Sequence, residues 1–244
     1  MTTLALLPAL SLLIPSLSRG LGIPAPTSKI LSSTAPTDSQ YYFSSHHYFS
    51  RNVTRTANTM GMRPNITILH APSSQCPIQA VGGSLSCSNA AIYVGPESSL
   101  TKNNQRRQFI LTHELSHIKH NDVLKIGLVS TLAYVVTAVA ASFFLPVAGT
   151  VGVAFSVFLI TLSTMSRHCE KRADLEAQRY CQLMETRQFC QALQELQNAY
   201  QQYRNNTMLP FTTRMWNKIR FDSKGNDRLD ILHPSLSQRI SYLA

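Results

Sequence analysis

In the stretch "RRQFILTHELSHIKHND" (106–122), His113 and His117 stand four residues apart, with Glu114 directly after the first. On a helix, positions i and i+4 lie one above the other on a single face. Two imidazole nitrogens so placed can hold one zinc ion, and the neighbouring Glu114 suits a proton carrier. A catalytic zinc site needs a third protein ligand. His120 shares the face but is out of reach, because seven residues of helix rise about 10 Å. The longer His-Glu-x-x-His-x-x-Gly-x-x-His pattern is also absent, since positions 120 and 123 are His and Val. His120 reads as a polar helix residue.

A second candidate lies in "SRHCEKRADLEAQRY" (166–180), where Glu170 is followed four residues later by Asp174, again one helical face. No other Glu in the chain has an acidic residue at that offset. Glu170 can supply an oxygen ligand. Asp174, one turn on, can accept the second ring N–H of a ligating histidine and fix its tautomer.

The elements that must bring these groups together are legible in outline. "NITILH" (65–70) reads as a strand, and "PIQAVGGSLSCSNAAIYVGP" (77–96) as one or two more, turning at Gly82-Gly83. The His113/His117 helix is predicted to begin near Thr101 to Asn104. From Ile126 to Ser166 no Asp, Glu, Lys or Arg occurs. Gly127 to Leu145 would span about 28 Å as a helix, enough to cross a bilayer. "PVAGT" (146–150) supplies a turn, and Val151 to Met165 a second apolar run. The alternative is a helical hairpin buried within a soluble domain. Two crossings, or none, return Glu170 to the side of His113, whereas one crossing would separate them. Lys119 and Lys125 before the run, and Arg167, Lys171 and Arg172 after it, place both ends in the cytoplasm. Beyond it, Phe189, Leu193, Leu196, Tyr200 and Tyr203 form a stripe suited to packing on the chain's own domain.

Lys and Arg outnumber Asp and Glu by 22 to 12, a net charge of +10. Such a balance suits an anionic membrane surface or nucleic acid, but no nucleic-acid-binding signature accompanies it, and no nucleic-acid partner is expected. The five cysteines lack CxxC spacing and read as reduced thiols; a Cys76–Cys87 bridge across the Gly-Gly turn is the alternative. Residues 1–40 read as an apolar stretch (4–17) broken by Pro8 and Pro15, a signal, anchor or tail, followed by a Ser/Thr/Pro-rich linker. Residues 41–244 read as one domain, α+β but mainly helical, containing the apolar hairpin at about 126–166.

"HELSHIKHND" (113–122), "EKRADLEA" (170–177) and "HPSLSQRISYL" (233–243) together resemble the HtpX-like and CAAX-prenyl-protease-like zinc metalloendopeptidases, peptidase family M48. The resemblance runs from about Tyr41 to Leu243. It implies a gluzincin-type zinc protease domain with a small β-sheet, one Zn²⁺ per chain on His113, His117 and Glu170, and Glu114 as catalytic acid/base. It also implies attachment to a membrane, a bacterial inner membrane with the site on the cytoplasmic side, and protein or peptide substrates that are membrane-associated or misfolded. His233 is a candidate catalytic donor to the developing oxyanion, or a fourth ligand that closes the site; alternatively His233-Pro234 merely introduces the last helix, with Ser235 as its cap. Substrate is expected to add as a strand along "AAIYV" (90–94). Two competing readings are a catalytically inactive membrane-bound zinc scaffold of the same fold and a zinc hydrolase acting on small molecules.

Overall fold

The structure, a computed structural model, describes residues 51–62, 66–70, 78–81, 90–94 and 104–244. The expectations for residues 1–40, for Cys76 and Cys87, and for the Gly82-Gly83 turn lie outside the described residues. Helical residues 51–59 (α1) precede three short strands, β1 (Ile66–His70), β2 (Ile78–Val81) and β3 (Ala90–Val94). Six helices follow: α2 (Asn104–His120), α3 (Asp122–Ser142), α4 (Val147–Tyr180), α5 (Leu183–Asn205), α6 (Phe211–Arg220) and α7 (Leu236–Leu243).

The strands form one sheet in the order β1-β3-β2. β3 runs parallel to β1, with Ile68 opposite Ile92, and antiparallel to β2, with Ala80 opposite Ile92. "AAIYV" is therefore the central strand. Its backbone donors and acceptors face partners on both sides, so the expectation of substrate pairing along it is incorrect.

α2 begins at Asn104, inside the predicted start, and is wedged between two cores. Leu111, Leu115 and Ile118 pack with Val53 and Ala57 of α1, with Met60 in the turn after it and with Ile92 of β3. On another side, Phe109 packs with Ala177 of α4, Phe189 and Leu193 of α5 and Leu243 of α7, and its ring stacks on Phe189 at 4.2 Å. Gln108 adds a polar tie to α1, accepting from Asn52 and donating to Thr56, both at 2.8 Å. A helix gripped on two sides holds its remaining face, that of His113 and His117, in fixed orientation. The stripe on α5 is buried at Phe189 and Leu193, while Leu196 and Tyr203 are exposed.

α2 ends at Asn121, whose φ of 54° is left-handed; Asn tolerates that conformation better than most residues. The break redirects the chain into α3. The hairpin turn then falls at residues 143–146 rather than at "PVAGT". Pro146 takes the N-cap of α4, where its missing N–H costs nothing, and Val147 to Thr150 are already helical. α3 and α4 bury Ser130 and Ala154 completely, small residues that let two helices approach. Their outer faces are bare: Leu128, Leu132, Val136 and Val139 on α3, Ile160 on α4, and Phe143 and Phe144 at the turn, 77 % and 86 % exposed. The hairpin is thus not buried inside the protein. Both helices are long and apolar enough to cross a membrane.

α4 is continuous for 34 residues, so the second apolar run and the Glu170/Asp174 segment are one rigid element. Ala173 and Ala177, at 0 % exposure, lie on the same face as Glu170 and Asp174 and let α4 approach α2 closely. Ala173→Leu should overpack that contact and destabilise the fold by about 1–3 kcal/mol. Thermal denaturation of the purified chain would check this, and an unchanged midpoint would contradict it.

Candidate metal centre

The α2–α4 contact carries a cluster of imidazoles and carboxylates around His113 and His117. His113 Nε2 and His117 Nε2 lie 3.0 Å apart. Glu170 reaches across from α4, its Oε2 3.4 Å from His113 Nε2 and its Oε1 3.3 Å from His117 Nε2. These three residues can offer one ligand atom each to a single metal ion. The spacing itself tests the fit. With zinc bonds of about 2.0–2.1 Å and tetrahedral angles, neighbouring ligand atoms stand about 3.3 Å apart. The 3.0 Å between the two Nε2 atoms and the 3.3 Å from His117 Nε2 to Glu170 Oε1 lie near that edge length, while His113 Nε2 meets the other carboxylate oxygen, Oε2, at 3.4 Å, and nitrogen-nitrogen-oxygen is a donor set zinc accepts.

The far side of each imidazole is held as well. His113 Nδ1 lies 2.9 Å from Asp174 Oδ1, and His117 Nδ1 lies 2.8 Å from Asp122 Oδ2. A carboxylate at Nδ1 keeps the proton there and leaves Nε2 with its lone pair towards the centre. Both carboxylates are fixed in turn. Asp174 is fully buried and accepts from Arg239 Nε at 2.8 Å, Arg239 Nη2 at 2.6 Å and the Tyr242 hydroxyl at 2.6 Å. Asp122, also buried, accepts from Arg172. Ser235 caps α7 in a capping box with Gln238, which places Arg239 and Tyr242 over Asp174.

Asp174 thus stands where the sequence puts it, one turn beyond Glu170 and against a histidine ring. Sequence reasoning missed Asp122. It lies five residues after His117, off the helical face, and reaches the ring only because Asn121 breaks the helix. Asp174 as the acid for Arg239 was also unread, since the two are 65 positions apart. His120 is held by Glu176 at 2.8 Å, and Glu176 also takes Lys119 and Ser116 at 2.5 Å; it belongs to a separate ionic cluster.

His113, Glu114, Glu170, His233 and Arg239 line one cavity of about 180 Å³, closed by Ile110 and Phe189. Glu114 lines the same cavity and is not among the three grouped ligands. His233 sits at the rim, half-exposed, with Nε2 3.8 Å from Glu170 Oε1 and Nδ1 2.9 Å from Asp230 Oδ1. It lies outside the grouped ligands, and Ser235 caps the helix as the alternative reading expects.

The family model for peptidase family M48 matches residues 89–244, which take in β3 and all six helices from α2 to α7. The chain belongs to peptidase family M48. No curated protein and no solved structure gave a significant match. Among the described residues, His113, His117 and Glu170 are the group this M48 chain could use to bind a metal ion.

Burial alone would pull the His113 imidazole towards neutrality, but Asp174 and Glu170 outweigh it and raise its pKa. For His117 burial is again overcome, here by Asp122 and Glu170, despite repulsion from His113. Facing nitrogens this close titrate as a pair. The metal-free pair therefore holds protons above the usual imidazole range and releases them to a cation, which needs both Nε2 lone pairs. The folded-state pKa is raised, so the charged pair stabilises the metal-free fold fully below the unfolded histidine value of about 6.5. That contribution is lost as pH rises through the raised value. Zinc binding at pH 7 should release protons and tighten with rising pH. Calorimetry in two buffers of different ionisation enthalpy measures this, and identical heats in both would contradict it.

Proposed function

We propose that this M48 chain is a zinc-dependent endopeptidase that cuts membrane-associated or misfolded proteins. The observation carrying the proposal is the convergence of His113 Nε2, His117 Nε2 and the Glu170 carboxylate on one point between α2 and α4, with Glu114 lining the same cavity. When bound, zinc supplies Lewis acidity for a scissile carbonyl and for water. Glu114 takes the proton of the attacking water and returns it to the leaving amine. His233, its ring oriented by Asp230, donates Nε2–H towards the developing oxyanion at the cavity rim. Asp174 and Asp122 keep the ligand rings in one tautomer throughout.

An extended peptide backbone pairs with an unfilled sheet edge without demanding a sequence. β3 is interior, so the edge proposed is that of β2, which lies against α2 and pairs only with β3 among the described residues. α3 and the first half of α4, up to about residue 166, cross the bilayer twice. Their bare apolar faces support this, as do the cationic flanks at Lys119, Lys125, Arg167, Lys171 and Arg172, which favour a site on the cytoplasmic side; a bacterial inner membrane is the membrane proposed.

Detergent-purified chain with zinc should cleave an unfolded model protein. Glu114→Gln should lower the rate by about 10²- to 10⁴-fold while binding zinc in the same stoichiometry. If wild type and Glu114→Gln both bind zinc and neither cuts, the chain is an inactive scaffold of the same fold.

A further inference from the structure

α6 buries none of its residues. Phe211, Met215 and Ile219 recur every four positions, with Trp216 beside them, and these side chains are 45–68 % exposed. Met208, just before the helix, is 92 % exposed. At about 100° per residue the four helix residues fill one arc, and Asn217 falls on the opposite side. Asn217 Nδ2 donates to the Tyr203 carbonyl of α5 at 3.1 Å. The polar side therefore faces the protein and the apolar arc faces away from it.

Charge decides what the arc meets. From Asn205 to Phe221 the chain carries Arg214, Lys218 and Arg220 and no acidic residue. Arg214 and Lys218 border the arc on one side, and Arg220, itself paired with Asp227, on the other. Long cationic side chains on both borders of an exposed apolar arc suit the boundary between anionic headgroups and acyl chains. A second copy would bring the same cationic borders together and repel.

Position agrees. α6 is tied at its C-terminus to the following loop: Arg228 N donates to Arg220 O at 2.7 Å, and Arg220 Nη2 pairs with Asp227 at 2.8 Å. Three residues later, a reach of at most about 10 Å, the Ile231 carbonyl accepts from Ser163 at 2.5 Å and Arg167 at 3.1 Å. Those two residues mark the end of the uncharged run on α4. The loop after α6 thus reaches the level where the hairpin would leave the bilayer.

We propose that α6 is an interfacial anchor that lies on an anionic bilayer surface, holding the proteolytic domain against the membrane. The proposal rests on the reading of α3 and early α4 as a membrane hairpin. α6 fixes the domain's tilt, so that the cavity bordered by His233, two residues beyond the Ile231 contact with α4, opens near the membrane surface.

Trp216 is the chain's sole tryptophan, so its fluorescence reports on α6 alone. The full-length chain is reconstituted in phosphatidylcholine vesicles with and without phosphatidylglycerol, with brominated acyl chains as the quencher. In anionic vesicles Trp216 emission should shift to the blue and lose intensity to the brominated chains. Arg214→Glu/Lys218→Glu should lose that quenching while remaining in the vesicles after alkaline extraction. Retention of the wild-type chain in anionic vesicles with unquenched, red-shifted Trp216 overturns the α6 proposal and leaves the hairpin reading standing. Release of the wild-type chain by alkaline extraction overturns the hairpin reading, and the α6 proposal with it. A blue shift that grows with protein density but is insensitive to brominated lipid overturns the proposal in favour of a second copy.

Discussion

The buried carboxylate of Asp174 is the constraint on which the rest of the site depends. A carboxylate with no exposure is tolerable only when its charge is met by partners of good geometry. Here the partners come from two helices, His113 from α2 and Arg239 and Tyr242 from α7, converging on α4. Removing one partner of such a buried pair costs about 3–5 kcal/mol. The same ionic contact that closes the helical core therefore sets the tautomer of His113, so that fold and site are held by one interaction. Asp122 plays the corresponding part for His117, with Arg172 behind it. Two histidines adjacent on α2 are oriented from two directions, one by the α4–α7 contact and the other by the start of α3.

The hairpin has a related consequence. Its second helix does not stop at the last apolar residue but runs unbroken through Glu170 and Asp174 to Tyr180. The residues facing lipid in the proposed arrangement and the oxygen offered to the metal stand on one rod, with small residues where it crosses α2. An insertion of this length between ligands in sequence adds little distance in space, because α3 and α4 run antiparallel and return the chain to its starting point. The His117–Asp122 contact sits at the base of the same hairpin.

Much of this was legible from residue spacing. His113, His117, Glu170 and Asp174 follow from four-residue offsets, since each pair is local to one helix. The hairpin follows from the uncharged run. What escaped reading depends on departures from local regularity or on distant contacts. Pro146 and Gly149 read as a turn, yet a proline is well suited to open a helix, and the turn settled three residues earlier. "AAIYV" reads as a strand, but its central place follows from β1 and β2 both pairing with it, which no strand pattern encodes. Asp122 became a histidine partner through one left-handed residue, Asn121. Arg239 and Tyr242 reach Asp174 across most of the helical domain, and nothing near them in sequence names their acid.

The account stands most directly on one zinc ion held by His113, His117 and Glu170. Zinc-edge X-ray absorption on the zinc-loaded full chain, with the metal counted per polypeptide, tests it. One zinc per chain, with two imidazoles and a carboxylate oxygen at about 2.0–2.2 Å, is the expected result. Absence of stoichiometric zinc, or a sulfur-ligated ion without the imidazole signature, would contradict it.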